Sequence, residues 1–67
     1  MNLAKSLKYA LINQGMTQAQ LAEKVGSKPA YISNLATGRA NLQGDMLKKV
    51  AAAFDMRVSE FVALGED

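Results

Sequence analysis

Sixty-seven residues make one small domain, which buries only about 60% of the surface its unfolded chain exposes, leaving room for a core but not for a deep catalytic cavity. With neither cysteine nor histidine, disulfides, thiolate and imidazole catalysis and the usual zinc ligands are excluded. The net charge of +2 hides an asymmetry: residues 1–49 hold seven basic and two acidic side chains, net +5, and residues 50–67 one basic and four acidic, net −3. One end therefore attracts polyanions that the other repels, although ordinary solvated surface accounts for the charges alone equally well.

Taken in order, residues 3–14 place Leu3, Leu7, Ala10 and Leu11 on one stripe with Lys5, Ser6 and Lys8 elsewhere, which predicts an amphipathic first helix stopped by Gly15. Its apolar stripe reads as a core face, since two lysines make a poor basic face for a membrane surface. A second helix, about 18–25, is opened by a T-x-x-Q capping box of Thr17 and Gln20, buries Leu21, Ala22 and Val25, and ends at Gly26.

The third helix, about 28–36, is expected to be capped by Ser27, with Pro29 in its first turn and Gly38 at its end. At about 100° per residue, Tyr31, Ile32, Leu35 and Ala36 fall on a core side, and Pro29, Ala30, Ser33, Asn34 and Thr37 on the other. Surface helices usually carry long charged side chains on their outer face, and this one carries almost none between Lys28 and Arg39. A face of short side chains lets a helix lie close against another surface. Tyr31 sits on the border, which favours a half-buried ring beside Leu35.

Ala40 to Gly44 then forms a loop anchored by Leu42. Asp45 is expected to cap a fourth helix, about 46–54, with Leu47, Val50, Ala51 and Phe54 buried and Lys48 and Lys49 outward. A short last helix, about 59–64, is expected to start at Ser59 and end at Gly65. Phe61, Val62 and Leu64 cannot all face inward on it; they either close the core or meet a second copy, and the second is preferred.

The stretch TQAQLAEKVGSKPAYISNLATGR, Thr17 to Arg39, resembles the helix-turn-helix of the lambda-repressor and Cro family of phage and bacterial transcription regulators. Gln18, Ala22, Gly26, Ile32, Leu35 and Gly38 fall in the family's positions, and the similarity runs on through VAAAFDMRVSEF, so that it covers roughly residues 3–64. The resemblance implies one all-α, lambda-repressor-like domain over residues 1–67, a compact five-helix bundle. It also implies a function: a sequence-specific double-stranded DNA-binding regulator, most like a short Cro-type repressor, on a palindromic operator as a homodimer. The family's repressors carry a further C-terminal domain, whose lack here favours the short members unless the chain is a fragment.

By the same resemblance, Lys28, Pro29, Ala30, Ser33 and Asn34 read bases, and Gln18, Arg39 and Asn41 contact phosphates. Asn34 can pair bidentately with adenine and Lys28 can donate to guanine, whereas Pro29 and Ala30, where the family often has polar residues, can only pack on a thymine methyl. That leaves more of the specificity to Lys28, Asn34 and DNA shape. The family commonly dimerises through its last helix, which makes Phe61, Val62 and Leu64 candidate interface residues. Arg57 stands where the family usually has a capping Ser or Thr.

No cofactor, metal or small-molecule substrate is expected, and the six carboxylates are too scattered to assemble an active site. The longest apolar runs fall far below the roughly 18 residues of a membrane span, and no signal-peptide pattern precedes the fold, which points to a cytoplasmic protein. The competing reading is an antitoxin-like or other protein-binding module with weak, sequence-indifferent DNA binding.

Overall fold

The computed structural model describes residues 2–66; Met1 and Asp67, the last of the tail's four acidic residues, lie outside the described residues. Five helices succeed one another: α1 (Leu3–Gln14), α2 (Gln18–Val25), α3 (Pro29–Thr37), α4 (Gly44–Ala53) and α5 (Val58–Leu64). Packing places α1 between α3 and α5, and α2 between α3 and α4, with α4 closing on α5.

The first two helices agree with the sequence expectation. Asn2 opens α1 by accepting the Lys5 N–H at 3.0 Å, and Gly15 closes it in the left-handed conformation. At α2 both halves of the capping box form: the Gln20 N–H donates to Thr17 Oγ1 at 3.0 Å, and the Thr17 N–H to Gln20 Oε1 at 2.9 Å.

The start of α3 differs, and the reason is Pro29. Its ring disfavours a helical conformation in the residue before it, so Lys28 is extended (φ −91°, ψ 146°) and becomes the N-cap, without a side-chain acceptor to offer. Ser27 is not the cap. Its N–H instead reaches back to the Ala22 carbonyl at 2.8 Å, completing the closure of α2 that Gly26 begins with φ +71°.

The last two helices also start earlier than expected. At α4 the N-cap is Gln43, and Asp45 lies in the first turn, where its carboxylate meets the helix's positive end without capping it. Phe54 comes after α4 as its C-cap; Asp55 then turns left-handed (φ 58°), which lets the Met56 N–H close on the Ala51 carbonyl at 2.9 Å. At α5 the Glu60 carboxylate accepts the Arg57 N–H at 3.0 Å, so the helix begins at Val58 with Arg57 as its cap, and Ser59 is already inside.

The core holds Leu7 and Leu11 from α1, Leu21 and Val25 from α2, Ile32 and Leu35 from α3 and Val50 from α4, with Leu42 pinning the loop before α4. Phe54 and Phe61 stack at its far end, ring centroids 6.1 Å apart and 11° from parallel. Phe61 is 0% exposed within its own domain, so the expectation that it meets a second copy is corrected: it closes the core. Val62 and Leu64 are half-buried.

Ser6 is likewise inside, against the expectation that it lay off the buried stripe. It is fully buried on the flank of α1 that faces α5, its hydroxyl 3.2 Å from the Val62 carbonyl and 3.3 Å from the Asn2 carbonyl. A second polar stitch ties the other end of α1: Gln14 Nε2 donates to the Phe54 carbonyl at 2.9 Å, taking one of the carbonyls that α4 leaves unpaired at its end.

Candidate nucleic-acid interface

The two faces of α3 separate cleanly. Ile32, Leu35 and Ala36 are buried against α1 and α2, while Pro29, Ala30, Asn34 and Thr37 are exposed and Ser33 is half-buried. Tyr31 is half-buried and packs against the core, as its border position predicts. Lys28, exposed, stands at the amino end of this face. The outward surface is therefore a ridge of short side chains, with one amide, Asn34, able to donate and accept at once.

Sequence reasoning placed Thr37 on this face without giving it a role. Its hydroxyl lies 3.0 Å from the Ser33 carbonyl and 3.3 Å from the Asn34 carbonyl, so it is turned back on its own helix. The signal was available in the spacing, four residues beyond Ser33.

Beyond Thr37 the chain reverses. Gly38 takes φ +80°, and the backbone folds back so that the Arg39 and Ala40 N–H groups both donate to the Asn34 carbonyl, at 2.9 and 3.1 Å. The backbone of the residue best equipped to read a base is thus tied to that of the cation expected to hold phosphate. Arg39 and Asn41 are exposed beside this turn, and the buried Leu42 keeps the loop down.

The third component is the amino end of α2. Gln18 is exposed in its first turn, and the capping box already uses the N–H groups of Thr17 and Gln20. The first-turn N–H groups of Gln18 and Ala19, together with the positive end of the helix, remain for an anion. Of the sequence-predicted residues, α3 brings together Lys28, Pro29, Ala30, Ser33 and Asn34 on one ridge, Arg39 and Asn41 lie just past its end, and Gln18 stands on the neighbouring helix.

Among the described residues no group of three or more Asp and Glu side chains is placed to hold a metal ion. No helix among them is long and apolar enough to cross a membrane.

A family model described as helix-turn-helix matches residues 7–61, from the middle of α1 into α5. The chain belongs to the helix-turn-helix family. This family, of Cro/C1 type, consists of DNA-binding transcription regulators rather than enzymes. Over all 67 residues the helix-turn-helix chain is 31% identical to the competence pilus inhibition repressor of Acinetobacter baylyi, and it spans 61% of that protein's length. The crystal structure of the clp gene regulator ClgR from C. glutamicum superposes with a TM-score of 0.89 at 26% identity, covering 96% of this chain and 83% of that one. The five-helix architecture is therefore shared, and the likeness extends beyond the two motif helices.

Proposed function

We propose that this protein is a Cro-like repressor that binds a palindromic operator as a homodimer. The observation that carries the reading is the outer ridge of α3: Pro29, Ala30 and Thr37 are exposed but too short to hold a duplex away, and Lys28 and Asn34 supply the hydrogen-bonding reach. Laid in a major groove, such a ridge brings Asn34 to an adenine edge and Lys28 to a guanine. Phosphate contacts from Gln18, Arg39 and Asn41 set the register without reading sequence.

A dimer is required by reach. One α3 ridge spans few base pairs, and two half-sites about 34 Å apart match a two-fold axis. With Phe61 committed to the core, the half-buried Val62 and Leu64, the latter also packed against the core, are the candidates for the contact between copies. Repression is supported by the description of the Acinetobacter baylyi relative as a repressor, and needs only that an occupied operator exclude polymerase.

Selection of sites from a random duplex pool, with affinity then compared against scrambled DNA over a salt series, tests the reading. A palindromic winner bound at least ~10³-fold tighter than scrambled duplex is expected. Weak, salt-sensitive binding without sequence preference would overturn it and turn the search to a protein partner for the α3 ridge.

A further inference from the structure

Past Thr37 the groove at the end of α3 continues onto another helix. Asn2, the N-cap of α1, and Lys5 and Lys8 from its first half line it opposite Ala36, Thr37 and Gly38. The placement obeys the helical period: with Leu7 and Leu11 buried, Ala4 and Lys8 turn to the flank facing α3, and Ser6 and Ala10 to the flank facing α5. Lys5 is held with its ammonium 5.6 Å from the centre of the Tyr9 ring, whereas Lys8 is exposed at the groove.

Two roles fit a lysine there. The carboxyl end of α3 carries partial negative charge and no basic residue in its own last turn, so a cation from α1 can offset it. The alternative is an anion outside the protein, and chain order favours it. The far end of α1 leads through Gly15 into the amino end of α2, the other anion-attracting point of the interface. Along the α1 axis, Lys8 and Gly15 are about 10 Å apart at 1.5 Å per residue, close to the ~12 Å width of a major groove. A single rigid helix therefore sets the spacing between the two points, with α3 packed against it.

We propose that Lys8 contacts a DNA phosphate, forming a further backbone anchor midway along α1, about two helical turns from Gly15 and the amino end of α2. This rests on the DNA-binding reading above and extends the footprint past the end of α3.

The test compares Lys8→Gln, Lys8→Arg and Arg57→Gln with the parent protein. Arg57 is the control because it lies at the acidic end, in a groove shared with Asp55 and Glu60. Affinity for the selected duplex and for scrambled duplex is measured from 50 to 200 mM salt, with phosphate-ethylation interference mapped in parallel. Lys8→Gln is expected to flatten the slope of log K on log salt by about 0.9 on both duplexes, a change of about 3.5-fold across that range. One phosphate whose ethylation blocks the parent should become indifferent in Lys8→Gln, and Lys8→Arg should restore both signatures.

An unchanged slope and interference pattern in Lys8→Gln, with a lowered melting temperature, would assign the lysine to the end of α3 alone and overturn the proposal. Equal flattening in Arg57→Gln would also overturn it, by making the effect one of net charge. Failure of the parent to bind any duplex removes the DNA-binding reading itself, and shows before any variant is made.

Discussion

Phe61→Ala decides between two uses of the last helix. The ring is 0% exposed and stacked on Phe54 at 6.1 Å, on a helix of seven residues held by α1 and α4. Truncating a fully buried Phe costs about 3–5 kcal/mol, from lost transfer energy and the cavity left behind. A domain of this size has roughly 3–10 kcal/mol in all, at about 0.05–0.15 kcal/mol per residue. The variant should therefore be largely unfolded or close to it. In urea, with a slope of about 1 kcal/mol per molar, the midpoint should fall by ~3 M or more. The assay is urea denaturation by far-UV circular dichroism at several protein concentrations spanning about a hundredfold. The expected loss is the same at every concentration, because the ring stabilises the protomer itself. A variant as stable as the parent at low concentration, weakened only where the parent associates, would refute the core assignment and return Phe61 to the interface.

Three further outcomes are expected. Gly65→Ala should destabilise by about 1–3 kcal/mol, read as a lowered melting temperature, because its Cβ would collide with the Asn2 carbonyl oxygen and Ser6 Oγ. Asp55→Gly should stabilise by about 0.5–1 kcal/mol by relieving a left-handed residue at φ 58°, with DNA affinity unchanged in a filter-binding or anisotropy titration. Asn34→Ala should cost about 1–3 kcal/mol on the selected site and relax preference at one base pair, whereas Arg39→Ala should weaken all duplexes alike and flatten the salt slope by about one. Equal behaviour of those two variants would undo the division between base reading and phosphate holding.

The helices were legible wherever a local pattern decides them. The Thr17–Gln20 box formed as its spacing requires, and the 3.6-residue period separated Ile32, Leu35 and Ala36 from Asn34 and Thr37. The starts of the last three helices were less so, each for a physical reason. Ser27 is the better capping side chain, but Pro29 forces the residue before it to be the extended one. Asp45 falls inside α4 because the helix already begins at Gly44, with the Gln43 carbonyl taking the Leu47 N–H, and Ser59 falls inside α5 because Glu60 reaches back to Arg57. Ser6 looked like a surface residue because period alone does not show which flank of α1 a fifth helix will cover. Phe61 was ambiguous for the same reason, since a seven-residue helix has too few apolar positions to define a face. The ridge of α3 was read almost whole; the groove continuing onto α1 lay outside reach, because it depends on two elements distant in sequence.

The separation of the two sides of α3 bears on how such a regulator can change its target. Positions 30, 34 and 37 point away from the core, and the Asn34 carbonyl that holds the Arg39 and Ala40 N–H groups belongs to the backbone. Side chains there can be exchanged without disturbing either the packing beneath or the turn beyond. On the proposed reading of α3, new operator preferences are open to a lineage one residue at a time, each intermediate remaining a folded protein with the turn at Gly38 unchanged. The same property makes α3 a natural graft site, onto which the outer residues of another regulator's helix can be transplanted.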